Sequence, residues 1–173
     1  MTVDRVPALD RPDLLAEPVA AAIAALPDPA AVTVAEIDPE LADTAAFCER
    51  YGVRLDESAN CVVVTGRRGG EERFAACMVL ATTRADVNNV VRKRLDVRKA
   101  SFAPMDVATG LTGMEYGGIT PLGLPGWPVL VDAAVAAAGE VVIGSGVRRS
   151  KLWLPGSVLA KLPAAEVVDG LAR

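Results

Sequence analysis

Hydrophobic and polar positions change period several times along the chain, and each change marks an element. Residues 12–26 are rich in Ala and Leu after Pro12-Asp13 and are stopped by Pro27-Asp28-Pro29, which predicts a helix. Val32-Thr33-Val34-Ala35-Glu36-Ile37 alternates as a strand. Asp43-Thr44 can cap a helix that runs to Tyr51 and ends at Gly52. The β-branched run Cys61–Thr65, the turn Gly66-Arg67-Arg68-Gly69-Gly70 and the apolar run Arg73–Ala81 predict a hairpin at the centre of a sheet. Over Asp86–Leu95, Val87, Val90, Val91 and Leu95 share a helical face. Ser101-Phe102-Ala103 reads as extended, and Pro104 suits the first turn of a short helix.

Further on, Trp127–Val131 predicts a strand, and Asp132 can cap an Ala-rich helix over 133–138. Glu140–Ile143 and Lys151–Leu154 predict two strands flanking the Gly144–Ser150 loop. Pro155-Gly156-Ser157 opens a last helical segment that Pro163 interrupts. There are no internal repeats or linkers, so one domain over 1–173 is expected. Strands and helices mix without strict βαβ alternation. The expected class is therefore α+β with a mixed sheet, not a doubly wound fold.

Composition narrows the chemistry. Hydrophobic residues make up 51% of the 173, but aromatics only 4%, so Ala, Val and Leu must build the core. The net charge of -4 argues against non-specific wrapping of nucleic acid, while a local basic patch stays open. Three cysteines without CxxC spacing argue against a zinc site or a disulfide framework, and for a reducing compartment. The start Met1-Thr2-Val3-Asp4-Arg5 is polar and lacks the apolar core of a signal peptide. Val19–Leu26 falls far short of the ~20 residues of a membrane span. A soluble cytoplasmic protein is expected.

The chain contains no histidine, the commonest general base and metal ligand. A hydrolase of this kind would lean on main-chain N–H groups for electrostatic work. Two glycine-rich stretches could present such backbone: Leu111-Thr112-Gly113 through Gly117-Gly118-Ile119-Thr120-Pro121, and Gly144-Ser145-Gly146-Val147-Arg148-Arg149. The first could be a carbonyl site or a tight connection; the second, a phosphate cradle or a strand-to-strand turn. Asp132 could be a helix cap or a catalytic acid. Cys61 could be an inert small hydrophobe or a nucleophile, although no histidine could activate it. Arg92-Lys93-Arg94 with Arg98-Lys99, and Arg148-Arg149, could meet a nucleic-acid backbone or merely face solvent. Trp127 and Trp153 could pack in the core or stack on an unpaired base.

Together, Ser101-Phe102-Ala103-Pro104, Leu111-Thr112-Gly113, Gly117-x-x-x-Pro121, Pro128–Asp132, Gly144-Ser145-Gly146, Arg148 and Leu152 resemble the YbaK/ProX family of aminoacyl-tRNA deacylases, the prolyl-tRNA synthetase-associated editing domains. The likeness covers roughly Asp43 to Leu171 and is weaker over 1–42. It implies a compact α/β editing fold with a cleft for the 3′ end of a mischarged tRNA. It also implies hydrolysis of the aminoacyl ester in trans, on tRNA(Pro) carrying Cys, Ala or another small amino acid. Partners would be aminoacyl-tRNA and prolyl-tRNA synthetase, with no metal or organic cofactor. By that likeness Gly117 and Gly118 would shape the carbonyl site. Thr112, Ile119, Pro121, Asp132, Gly144, Ser145, Gly146 and Arg148 would line or bind the substrate.

Two departures stand out. The family carries a lysine that holds the phosphate or ribose end of the substrate where this chain has Asn60. Many members carry an acidic residue or histidine where this chain has Lys151. The expectation is that Lys151 faces the same cleft as Asn60 and replaces the missing charge. The alternative is an editing fold that has lost catalysis and binds tRNA, a synthetase or a small metabolite. A third reading is an unrelated thiol hydrolase using Cys61.

Overall fold

Two sheets meet along one seam in the computed structural model, which describes residues 3–173; Met1 and Thr2 of the polar N-terminal stretch lie outside the described residues. The first sheet contains β1 (Val6–Pro7), β2 (Thr33–Glu36), β7 (Val141–Gly144) and β8 (Ser150–Leu154) in the antiparallel order β1-β2-β8-β7. The second contains β3 (Ala59–Arg68), β4 (Glu71–Leu80), β5 (Ala100–Phe102), β6 (Val129–Asp132) and β9 (Ala165–Val168) in the order β5-β3-β4-β6-β9. It is the mixed sheet expected from the sequence: β4, β6 and β9 are parallel, whereas β5, β3 and β4 are antiparallel. A parallel bridge between Ser58 and Val142 links the two sheets at the foot of β3.

The β3–β4 hairpin is longer and its turn tighter than the glycines suggest. Gly66, Arg67 and Arg68 continue the ladder opposite Arg73, Glu72 and Glu71, leaving only Gly69-Gly70 at the tip. Both tip residues have positive φ, +58° and +80°, the twist that suits a two-residue hairpin.

Helix α1 (Glu17–Ala24) is shorter than predicted, because Pro12–Leu14 forms a separate 3-10 turn and Leu15 and Ala16 are extended. Helix α2 (Thr44–Tyr51) follows its sequence signals. The Asp43 carboxylate accepts from the Ala45 N–H at 3.1 Å, and Gly52 closes the helix at φ +69°. The segment predicted as one helix over 86–95 is a π-turn, Val87–Val91, running into α3 (Arg92–Leu95). The remaining helices are α4 (Met105–Thr112), α5 (Ala133–Ala136) and α6 (Gly156–Ala160). Asp132 occupies the N-cap position of α5, but its side chain makes no capping bond. Strand β1 is only two residues long, and β9 lies after the Pro163 interruption of the segment expected to be helical; both pair with strands of their sheets.

Three apolar clusters hold the layers. Val19 and Ile23 of α1 pack with Val34, Met78, Val131 and Leu152 from both sheets. Val91 and Leu95 cover Val64, Cys77 and Leu130 on the other face of the five-stranded sheet. Phe47 and Cys48 of α2 lie on Ala35, Val142 and Trp153. Full burial of such side chains contributes about 1.5–3 kcal/mol each. The third cluster anchors the start of α2 over the seam, which leaves a cavity beside it.

Candidate active site

The cavity at the seam has a volume of about 450 Å3. Its walls come from five separate pieces of chain, one of them Met105 at the start of α4. The N-terminus of α2 supplies Asp43 and Thr44, and the start of β3 supplies Asn60 and Cys61. The loop after α4 supplies Tyr116, Gly117 and Ile119. The β7–β8 hairpin supplies Gly144, Arg148 and Lys151.

Lys151 sits on the central strand pair of its sheet, opposite Ala35 and Gly144, and only 7% of it is exposed. Its Nζ donates to the Ala42 carbonyl at 3.0 Å and lies 5.5 Å from the centre of the Phe47 ring. Among the described residues it has no carboxylate within 4.0 Å. Burial pushes its pKa down to about 8; Cys48 and Asp43 oppose that shift and Arg148 reinforces it. A buried ammonium with three donors and one neutral acceptor is short of a counter-charge.

Asn60 and Lys151 line the same cavity. The Asn60 carboxamide oxygen accepts from the Thr44 hydroxyl at 2.7 Å, which orients the group. Arg148 is held by backbone: its guanidinium donates to the carbonyls of Tyr116 at 3.1 Å and Pro39 at 2.8 Å, and lies 5.6 Å from the Tyr116 ring centre. Its own N–H donates to a Glu115 carboxylate oxygen at 2.8 Å.

The two glycine stretches exist because they cross backbone on backbone. A Cβ on Gly118 would sit 2.8 Å from the Val147 carbonyl oxygen, and one on Gly144 would sit 2.6 Å from the Gly118 oxygen. Gly146 donates its N–H to that Gly118 oxygen at 2.7 Å. Gly117 has φ +79° and leaves room for the Arg148 guanidinium, which a Cβ would meet at 2.9 Å. The N–H groups of Gly117 and Ile119 donate to no group among the described residues. The Gly118 N–H is spent on the Glu115 carbonyl at 2.9 Å, so Gly118 is not the open donor expected of it.

Several expected residues lie elsewhere. Thr112 closes α4, donating to the Ala108 carbonyl at 2.7 Å and accepting from the Met114 N–H at 3.2 Å. Ser145 is fully buried against the Ser150 hydroxyl at 2.6 Å, and Gly146 packs on Ala16, so both hold the hairpin to the N-terminal segment. Pro121 lines a second, apolar cavity with Leu26 and Trp127. Asp132 is 5% exposed at the end of β6 and is absent from the cavity walls. Strand and loop direction, not residue type, separates these from Ile119, Gly144 and Arg148, which do line it.

Cys61 lines the cavity, but burial, with a smaller push from Cys77, holds its thiol far above the ordinary range. That disfavours the thiolate a nucleophile needs. Trp153 is buried 6.2 Å from Phe47, and Trp127 stacks on Phe74 at 4.8 Å and borders the apolar cavity instead; neither lines this one. In the basic cluster, Arg94 pairs with Glu166 and Arg92 donates to the Asn88 carbonyl, away from the site. The residues that sequence reasoning passed over are Asp43, Thr44, Met105 and Tyr116. The first two carry a visible signal only as a helix cap, and Tyr116 stands inside the glycine stretch itself.

Comparison with known proteins bears on this geometry. A family model described as the aminoacyl-tRNA editing domain matches residues 38–162, a span that contains every side chain of the cavity. A crystal structure described as a candidate trans-editing enzyme for prolyl tRNA synthetase aligns with a TM-score of 0.74 at 20% identity, over 89% of this chain and 94% of that one. A scaffold protein used for grafting linear epitopes gives a TM-score of 0.74 at 20% identity, over 89% and 95% of the two chains. A hypothetical protein gives 0.67 at 20% identity, over 76% and 85%. At that identity these likenesses establish a shared fold.

Proposed function

The chain belongs to the aminoacyl-tRNA editing domain family, and on that premise we propose that it is a trans-acting deacylase that hydrolyses the ester joining a small amino acid to the terminal ribose of a mischarged tRNA. The observation that carries this reading is the cavity wall. It combines Lys151 and Arg148, whose charged groups form no ion pair among the described residues, with Gly117 and Ile119, whose N–H groups donate to no group among the described residues.

An aminoacyl ester is already activated, so the protein mainly has to position it and stabilise the oxyanion. In the proposed reaction a water oxygen attacks the ester carbonyl carbon. The developing oxyanion is held by the Gly117 and Ile119 N–H groups. The C–O bond to the ribose breaks, the ribose oxygen takes a proton, and free amino acid and tRNA leave. Each such donor is worth about 10²–10³ in rate. With no histidine in the chain, the proton relay falls to a neighbouring ribose hydroxyl, an ordered water or a cysteinyl thiol of the substrate. Lys151 supplies the positive charge that Asn60 lacks, and Asn60, oriented by Thr44, hydrogen-bonds the ribose end.

Tyr116, Met105 and the apolar walls Val62, Ile119 and Val142 leave room for a small acyl group. An apolar pocket discriminates a methylene by only about 1–3 kcal/mol, so overlapping substrates are expected. The family resemblance and the description of the trans-editing neighbour support tRNA(Pro) carrying Ala or Cys as the first substrates to try.

The test is amino-acid release from a panel of mischarged tRNAs, starting with Ala- and Cys-tRNA(Pro), with Lys151→Ala in parallel. Release by the native protein that falls tenfold or more in the variant supports the reading. Failure to release any amino acid from the panel refutes it and leaves an editing fold that only binds.

A further inference from the structure

We propose that Glu115 is a positioning residue for the carbonyl site: its carboxylate anchors the loop between β7 and β8, and that loop sets the direction of the Gly117 and Ile119 N–H groups. The proposal rests on the deacylase reading for the reaction, and on the following geometry for the role.

A trans peptide unit is planar, so its C=O and the next residue's N–H point in opposite directions, and fixing one fixes the other. The Gly117 N–H shares its unit with the Tyr116 carbonyl, and the Ile119 N–H shares its unit with the Gly118 carbonyl. Both carbonyls are held by the loop between β7 and β8. The Arg148 guanidinium donates to the Tyr116 carbonyl at 3.1 Å, and the Gly146 N–H donates to the Gly118 carbonyl at 2.7 Å. The two open donors are therefore aimed from behind by residues 146 and 148. Gly117 depends on this, because at φ +79° it has no side chain to restrain it, and the Arg148 guanidinium lies 2.9 Å from where a Cβ would sit.

Glu115 ties that loop to the same stretch of chain. Its N–H donates to the Gly146 carbonyl at 2.9 Å, its carbonyl accepts from the Gly118 N–H at 2.9 Å, and its carboxylate accepts from the Arg148 N–H at 2.8 Å. The first two are main-chain bonds that any residue but proline can make. The third needs this side chain, and it joins residues 33 positions apart. It holds residue 148 by its main chain while the Arg148 side chain reaches back to Tyr116, so the two segments clasp each other. The carboxylate works as an acceptor and not as a counter-charge, because it forms no ion pair among the described residues. Glu115 is exposed, and one exposed hydrogen bond adds little to stability, so the bond acts on the aim of the donors more than on the fold.

The test measures amino-acid release from mischarged tRNA, starting with Ala- and Cys-tRNA(Pro), together with the backbone amide signals by NMR. Native protein, Glu115→Ala and Glu115→Gln are compared. Glu115→Ala should lower kcat by about 10- to 100-fold, the cost of a reacting group misplaced by about 1 Å, with KM kept within about threefold. Its melting temperature should stay within about 5 °C of the native value. Glu115→Gln should restore kcat to within about threefold, because an amide oxygen accepts from the same N–H. The Gly117, Ile119 and Arg148 amide signals should move in Glu115→Ala and return in Glu115→Gln. An unchanged kcat in Glu115→Ala, a loss confined to KM, or an equal loss in Glu115→Gln overturns the proposal. If the native protein releases no amino acid, the deacylase reading fails by itself and the amide signals decide the clamp. Gly117 and Ile119 signals unmoved in Glu115→Ala then overturn it, and movement reversed by glutamine supports it.

Discussion

Replacement of Lys151 by methionine should stabilise the folded protein at neutral pH while removing the function proposed for the cavity. The side chain is 7% exposed, and its pKa falls from 10.5 to about 8 chiefly through burial. A lysine whose folded pKa lies below its unfolded value takes up more protons when the chain unfolds, so stability rises with pH between the two values. The penalty is fully present below about pH 8 and is relieved as pH climbs towards 10.5. At 1.36 kcal/mol per pKa unit, the shift corresponds to a penalty of about 3 kcal/mol at pH 7. Methionine keeps the length and apolar character of the stem but orphans the Ala42 carbonyl that Nζ now reaches at 3.0 Å, a loss of about 1 kcal/mol. The net gain is about 1–3 kcal/mol, or about 3–10 °C in melting temperature for a domain of this size. Thermal and urea unfolding of both proteins from pH 6 to 10.5 would measure it, and the advantage should vanish towards pH 10.5. An unchanged or lower melting temperature at pH 7, or a difference that does not vary with pH, would refute the reasoning. It would mean that Lys151 has a counter-charge or water that the geometry does not reveal.

Other consequences follow from the packing around the site. Cys61, with its thiol raised by burial, should resist iodoacetamide at pH 8, and Cys61→Ala should retain amino-acid release within about threefold. Modification of Cys61 at the rate of a free thiol, read by mass spectrometry, would contradict this. Gly146→Ala should cost about 2–4 kcal/mol, because φ is +90° and the new Cβ would meet the Ala16 Cβ at 2.4 Å. The corresponding fall in melting temperature is about 5–15 °C, and a variant as stable as the native protein would show that the N-terminal segment yields freely.

Local chemistry determines a good part of this protein. The cap Asp43, the stop Gly52, the pair Gly69-Gly70 and the alternation in Val32–Ile37 each act over a few residues, so α2, the hairpin and β2 are legible without tertiary information. The same holds for the pairing of two short strands around the 144–150 loop. Where neighbouring signals compete, the sequence misleads. Pro12 starts a turn and not the helix, and β9 is a strand only because β6 lies beside it.

Residue types and spacing point to both glycine stretches, but not to what each glycine does. Only the fold brings the two stretches into contact, which spends the Gly118 N–H, turns Ser145 and Gly146 towards the N-terminal segment, and leaves Gly117 and Ile119 on the cavity wall. Asn60 and Lys151 lie far apart along the chain, on strands of different sheets, and become neighbours of one cavity through the seam at Ser58 and Val142. Burial and missing counter-charge, which give Lys151 its character, are properties of that enclosure. A side chain's pKa and free donors depend on what surrounds it in space, and the local sequence does not hold that information.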